Sequence, residues 1–389
     1  MKQSFLHIFL LLLLSMTAEN ASAGDIAVKN EDGVTIYYKS YGNNELMVTY
    51  RDNNYNSYSG NVVIPDKFEY NGTWYKVTTI GDNAFLNSTG LTSVTIPNTV
   101  WRLGNYSFKG CTGLTSVIIP NSVTETGISA FQDCTSLASL TISNSLGTIE
   151  YSMFESCSKL DNVTIPEGVT TIRPRAFFGC TSLTSITIPR SVTSIGGATF
   201  RYCSSLKAIT IPGSVECIES LMFEDCSGLE TVNLEEGLRA IEGYAFSRCS
   251  SLTTITIPRS VTSIKFYAFQ GVDFSTITSY IKNPFAIYGK TSGMGSFSVN
   301  TFEKSKLFIP AGTLEKYQST EGWKDFANIE EVPDPYDLNG DEKVSTADIQ
   351  VIINEMKKSE TEQSPDYDLN NDGKVSTADI QIIINEMKL

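Results

Sequence analysis

Histidine is nearly missing from this chain of 389 residues: the one copy, His7, lies in a short apolar segment at the start. A serine or cysteine nucleophile activated by an imidazole, and a zinc ion held by imidazole nitrogens, both need that residue type. The body of the chain therefore has neither, and only carboxylate, tyrosine or lysine chemistry is left to it. Positive charge is also scarce, with 29 Lys+Arg against 43 Asp+Glu and a net charge of −14. Phosphate backbones need clustered lysine and arginine, so no nucleic-acid partner is expected. Long apolar runs are missing too. The one run, residues 5–16, is too short to cross a bilayer comfortably, so no membrane insertion is expected. With Lys2 before it and Ala21-Ser22-Ala23 after it, residues 1–23 read as a signal peptide. No cysteine follows that cut to carry a lipid. The expected location is secreted, extracellular, or held at the cell surface through a docking partner.

What the chain does have is self-similarity. Phenylalanine recurs every 23 residues, at Phe85, Phe108, Phe131, Phe154, Phe177, Phe200, Phe223, Phe246 and Phe269. Leucine follows each of the first eight by six residues, from Leu91 to Leu252. Ile-Pro pairs come next, as in Ile96-Pro97, Ile119-Pro120, Ile165-Pro166, Ile188-Pro189, Ile211-Pro212 and Ile257-Pro258. Within one unit, Leu183, Ile186 and Ile188 face one way along a strand while Ser185 and Thr187 face the other. Val192 and Ile195 add a second inward pair on the return, and Phe177 fills the far side. One such coil cannot bury its own apolar face, so neighbours must stack through parallel strands to make a core. Threonine crowds the outward positions (Thr95, Thr141, Thr164, Thr187, Thr210, Thr256) because β-branched side chains suit an exposed pleated surface.

The unit G-x-x-A-F-x-x-C-x-x-L-x-x-I-x-I-P-x-S-V-x-x-I, over roughly residues 72 to 275, resembles the BspA-like leucine-rich repeats of bacterial surface proteins. The resemblance implies an adhesion or binding scaffold and leaves its ligand open, because a fold does not fix one. Seven cysteines share the period, from Cys111 to Cys249. Seven equivalent positions cannot all pair, and Ser88 and Val272 replace the cysteine at the two ends. The row reads as buried small thiols, although neighbouring coils are close enough for disulfides. Cys217 lies off the row at an outward position, as a candidate exposed thiol. The residue after each Ile-Pro varies (Asn98, Asn121, Glu167, Arg190, Gly213, Arg259), marking either a ligand footprint or ordinary solvent positions.

The ends of a solenoid need covers. Short strands are expected at 34–38, 46–50 and 61–64, with a tight hairpin at Tyr70-Asn71-Gly72-Thr73. Tyr50, Tyr55, Tyr58, Tyr70 and Tyr75 read as cap packing, with a sugar-stacking patch as the alternative. Residues 307–312 with Tyr317, Trp323 and Phe326 read as the closing cap.

Composition changes after Val332-Pro-Asp-Pro335, a short stiff linker. Residues 337–348, DLNGDEKVSTAD, return 31 residues later at 368–379 as DLNNDGKVSTAD. Hard oxygen ligands at positions 1, 3, 5, 7, 9 and 12 make a calcium loop. In the first these are Asp337, Asn339, Asp341, the Lys343 carbonyl, Ser345 and Asp348. In the second they are Asp368, Asn370, Asp372, the Lys374 carbonyl, Ser376 and Asp379. Each loop runs into an amphipathic helix, Ile349, Ile352, Ile353 and Met356 in one and Ile380, Ile383, Ile384 and Met387 in the other. No entering helix is readable, and position 12 is Asp rather than Glu. That paired, loop-first form resembles the type I dockerin. The resemblance implies calcium-dependent docking to a cohesin domain of a scaffold protein. Its partner-facing positions here are Thr346, Ala347, Ile353 and Asn354, then Thr377, Ala378, Ile384 and Asn385. Position 6 is Gly373 in the second loop but Glu342 in the first, so the first calcium site is expected to be the weaker one.

The expected fold is mainly β: a leucine-rich-repeat solenoid of 23-residue coils with β caps, followed by a small all-α dockerin with two calcium loops. The expected divisions are signal peptide 1–23, N-terminal cap 24–76, solenoid 77–275, C-terminal cap 276–332 and dockerin 336–389. The expected function is a secreted, non-catalytic binding or adhesion protein whose repeat surface recognises an extracellular protein or glycan, and whose dockerin delivers it to a cohesin. The alternative is a glycoside hydrolase within a polysaccharide-degrading complex. Two carboxylates suffice for that chemistry, and Glu216, Glu219, Glu224 and Asp225 cluster in sequence. A structural spacer or a water-ordering threonine surface is a third reading.

Overall fold

The computed structural model describes residues 25–389, except 31, 52–54, 335, 341–343, 360–361, 370–372 and 388–389. The expected signal peptide lies outside them. The chain divides into two compact units, Met1–Ile186 and Thr187–Leu389, which are taken in turn.

The first unit opens with β1 (Asp25–Lys29), β2 (Thr35–Gly42) and β3 (Glu45–Thr49) in an antiparallel meander. Then come β4 (Ser59–Val63), β5 (Lys67–Tyr70) and β6 (Thr73–Ile80). β5 and β6 form the expected hairpin: Tyr70 faces Thr73, and Asn71 and Gly72 take φ values of 49° and 76°. Two left-handed residues give the turn that matches the strand twist. Two parallel ladders start from this cap. β4 pairs with Gly90–Thr95, which leads to Ser116–Ile118 and Ser139–Thr141. β6 pairs in parallel with β3 and passes the second ladder to Arg102–Leu103 and Glu125–Thr126. The cap therefore supplies the first rung of each ladder, β4 for one and β3 for the other, and the antiparallel β1–β2 pair covers the edge that β3 would otherwise expose.

Inside the coils the phenylalanines stack. Ring centroids of Phe85, Phe108, Phe131, Phe154 and Phe177 follow at 4.7, 5.0, 5.7 and 5.4 Å. Tyr58 extends the column at the cap, 4.4 Å from Phe85, and is itself buried. Each buried ring contributes roughly 1.5–3 kcal/mol by leaving water, with about 0.5–1.5 kcal/mol more from the aromatic pair.

The coils also turn in a way that residue types alone do not announce. Two residues before and two after each phenylalanine, the backbone is left-handed: Asn83 and Asn87 around Phe85, Ser129 and Asp133 around Phe131, Leu221 and Asp225 around Phe223. Such a φ costs an L-residue roughly 1–2 kcal/mol. Hydrogen bonds to the next coil hold it in place. Asn83, Phe85 and Asn87 donate their N–H groups to the carbonyls of Asn105, Ser107 and Lys109 at 2.9, 2.7 and 2.7 Å.

The seven periodic cysteines are all buried free thiols. In the first unit the Sγ of Cys111, Cys134, Cys157 and Cys180 donates to the carbonyl of the phenylalanine 26 residues earlier, at 3.0–3.2 Å. Each thiol thus satisfies a buried acceptor in a neighbouring coil. Burial pushes the Cys111 thiol up to about 12 and also raises Cys134 well above the ordinary thiol value, which keeps them protonated.

In the second unit the ladder Thr254–Ile257, Thr276–Ser279, Lys306–Pro310, Asn328–Val332 is parallel throughout, so three strands within 276–332 continue the ladder of the repeat. Helices α1 (Val299–Lys304) and α2 (Leu314–Ser319) accompany them. Phe297 stacks on Phe269 at 4.9 Å and continues the column after the 23-residue spacing has lapsed. Trp323, fully buried, donates its Nε1–H to the Phe285 carbonyl at 2.9 Å. Helices α3 (Thr346–Glu355) and α4 (Thr377–Glu386) follow, packed around Ile352, Val375 and Ile383.

Cys217 departs from expectation. It is half-buried rather than exposed, and burial with Glu219 and Glu242 nearby pushes its thiol up to about 12. Arg259 departs as well. Its side chain is only 4% exposed, so it is no solvent-facing footprint residue.

Candidate functional site

Both loop-and-helix units are built around one capping device. Ser345 caps α3 by accepting from the Ala347 N–H at 3.1 Å, and Asp348 reaches back to the Ser345 N–H at 2.7 Å. Such a box satisfies donors that a helix start leaves free. The other oxygen of Asp348 accepts from the N–H groups of Leu338 and Asn339, at 2.8 and 3.2 Å. Asp379 repeats this with Leu369 and Ser376, both at 2.7 Å. Both carboxylates are fully buried. A shorter Asp at position 12 therefore ties the two ends of each loop together and caps the helix with the same group.

At position 1, Asp337 accepts from the Gly340 N–H at 2.9 Å and Asp368 from the Gly373 N–H at 2.8 Å. Gly373 has φ +89°, the left-handed turn expected at position 6 of that loop. Asn339, Ser345, Lys374 and Ser376 also lie on the described loops, whereas Asp341, Lys343, Asn370 and Asp372 lie outside the described residues. Among the described residues no three acidic or metal-binding side chains converge to hold a metal. The donor set nevertheless suits calcium: hard oxygens only, with a buried carboxylate closing each loop.

The partner positions divide by burial. Thr346, Ala347, Asn354, Thr377 and Ala378 are exposed, and Ile353 and Ile384 are half-buried, next to the fully buried Ile352 and Ile383. Asn354 accepts from Gln350 at 3.0 Å and Lys357 at 3.2 Å. The side chain of Asn385 lies outside the described residues.

The linker is anchored, by residues the sequence did not single out for it. Arg259 donates to Asp334 at 3.2 Å, lies 3.6 Å from Glu236, and stacks 4.3 Å from the ring of Tyr336. Lys282 adds a contact to Asp334 at 3.1 Å. Burial pushes the Asp334 carboxyl up, but Arg259, the Tyr336 N–H and Lys282 together outweigh it and hold the group below its usual range. No sequence signal marked it, since Arg190 holds the equivalent position in another unit and is exposed.

The acidic cluster proposed for hydrolysis comes apart. Glu224, 5% exposed, is 2.5 Å from Arg248 and 2.6 Å from Arg201. Arg248 also binds both oxygens of Asp225, at 2.6 and 2.7 Å, and holds that carboxyl below its usual range. Glu216 is exposed and 3.9 Å from Arg239. Two of the four acids are thus neutralised by intercoil arginines. Of the suggested tyrosine patch, Tyr58 is core, and Tyr50 and Tyr55 pack on one another at 4.5 Å.

These features define a β-solenoid of leucine-rich coils carrying a paired-loop docking module. The chain belongs to the BspA type leucine rich repeat family, whose model matches residues 78–193 and 170–286, more than half of its length. Residues 335–388 match the dockerin type I domain. No curated protein matches the chain in sequence. Among solved structures, a leucine rich cell surface protein of Faecalibacterium prausnitzii is similar, with 24% identity and a TM-score of 0.51, covering 81% of this chain and 97% of its own. The pneumococcal vaccine antigen PcpA shows 17% identity and a TM-score of 0.44 over 79% of this chain and 98% of its own. The first of these likenesses supports the fold alone. The matched families are a repeat scaffold and a docking module, both non-catalytic in kind. Type I dockerins generally bind calcium and cohesins, and no helix among the described residues is long and apolar enough to cross a membrane.

Proposed function

We propose that this is an exported, non-catalytic binding protein: the repeat recognises an extracellular protein or glycan, and the dockerin carries it to a cohesin on a scaffold. The observation behind this reading is the duplicated loop, in which a buried Asp closes each turn while Thr346-Ala347 and Thr377-Ala378 stay exposed at the helix starts. Asp337, Asn339, Asp341, the Lys343 carbonyl, Ser345 and Asp348 would hold one calcium ion, and Asp368, Asn370, Asp372, the Lys374 carbonyl, Ser376 and Asp379 the other. The ion supplies fixed positive charge that draws the loop oxygens together; the chain's own groups orient the helix that carries the docking surface. Near-identity of the two halves allows either to dock. The intercoil pairing of Glu224 and Asp225 speaks for structural acids rather than a hydrolytic pair.

The test immobilises the full chain and exposes it to the producer's secreted proteins with calcium or with chelator. Capture of a cohesin-bearing protein only with calcium is expected. If no captured protein depends on calcium, the loops stabilise the chain itself and the docking reading falls.

A further inference from the structure

Two of the three tryptophans are exposed, Trp74 at 56% and Trp101 at 40%, while Trp323 is fully buried. An exposed tryptophan leaves a large apolar face in water, and Trp74 does so in a depression of about 250 Å³ on the outer face of the N-terminal cap. Lys67 and Lys76 face each other directly across the β5–β6 pair. Like charges at such positions repel, and among the described residues neither ammonium has a carboxylate within 4.0 Å. Lys67 instead lies over Trp74, its Nζ 5.6 Å from the ring. Asn43, Asn44, Glu45 and Asp66 line it too, with Tyr75 and Thr99. Asn43 and Asn44 both have positive φ, and the Asn44 carbonyl accepts from the Lys76 N–H at 2.9 Å, which fixes the hairpin to the depression.

From this we infer that the depression around Trp74 is a saccharide-binding site for an uncharged pyranose chain. The ring offers a flat apolar face to the C–H side of a sugar. Around it stand donors (the two lysines), acceptors (Glu45 and Asp66) and amides that do both, which suits hydroxyl groups that donate and accept. Two amines against two carboxylates make the lining charge-balanced within a chain of net charge −14, so an anionic polymer gains nothing there. The inference rests on the binding-protein reading above, but gives the glycan a class and moves its address from the repeat face to the N-terminal cap.

Affinity electrophoresis of the full chain would use a soluble β-glucan, a xylan and polygalacturonate. A neutral polymer is expected to retard the parent and Trp101→Ala, whereas Trp74→Ala weakens binding by about tenfold or more and Lys76→Met weakens it less. Trp74 is exposed, so its variant should melt at the parent temperature, which separates lost binding from lost folding. Equal retardation of Trp74→Ala and parent overturns the site. Retardation by polygalacturonate alone overturns the ligand class, and retardation by none of the three overturns both. Calcium-dependent cohesin capture on the same variants reports separately on the docking reading.

Discussion

Glu224 is the most exacting test of how the coils are held together. It is 5% exposed, with Arg201 at 2.6 Å and Arg248 at 2.5 Å. The Arg201 contact is out of line for a hydrogen bond, so its contribution is chiefly charge. Changing both arginines to methionine leaves a buried carboxylate with neither cation. Stranding one partner of a buried pair costs about 3–5 kcal/mol. Arg248 is half-exposed, so its separate link to Asp225 adds at most about 1 kcal/mol. Together these come to about 3–6 kcal/mol, and at about 2–4 °C per kcal/mol the double variant should melt roughly 6–24 °C lower. Adding Glu224→Met to that variant should recover most of the loss, because a packed apolar triad often matches a buried ionic one. Circular dichroism melts of the parent, the double variant and the triple variant decide it. If the third substitution recovers nothing, the cost came from lost arginine packing, and the argument from stranded charge is refuted. Acid supplies an independent check. Asp225 is held below its usual range by Arg248, so its contribution is present above the unfolded carboxyl value of about 3.9 and is lost as pH falls through the lower folded value. The deficit of Arg248→Met alone should therefore shrink toward pH 2–3.

Further outcomes follow from the same geometry. Were the first loop to need at Glu342 the left-handed turn that Gly373 makes in the second, Glu342→Gly would tighten calcium at the first loop by about fivefold, the equivalent of roughly 1 kcal/mol; two sites of equal affinity in parent calorimetry would remove the premise. Phe131→Ala opens the aromatic column between neighbours 5.0 and 5.7 Å away and should cost about 3–5 kcal/mol in urea unfolding; a loss under 1 kcal/mol would mean the rings contribute little. At pH 8 the native chain should react with a disulfide reagent at less than one thiol within minutes, and at all eight once denatured. Rapid native labelling of several thiols would contradict the buried, hydrogen-bonded row.

Much of this molecule is written in spacing. A 23-residue period in Phe, Leu and Ile-Pro dictates stacked coils, because each coil carries an apolar face it cannot bury alone. The duplicated loop resembles a calcium loop for the same local reason: its oxygen-bearing residues sit at fixed offsets along one turn. Other features needed the coils in contact. Left-handed turns at Leu221 or Tyr106 run against residue preference and exist because the next coil accepts their N–H groups. The thiols' partners are carbonyls 26 residues away, and Phe297 joins the column at a spacing the repeat does not use. Arg259 reads in sequence as a variable surface position, yet it lies buried against Asp334, 75 residues on. Trp74 and Lys76 are two residues apart in sequence, but Asn43, Asn44 and Glu45, which also line their depression, come from the turn into β3 and meet the β5–β6 hairpin only in the folded cap. Local periodicity determined which faces are apolar and where oxygen ligands lie; charge pairing, strain and pockets depend on distances between segments remote in sequence, and those the tertiary structure alone decided.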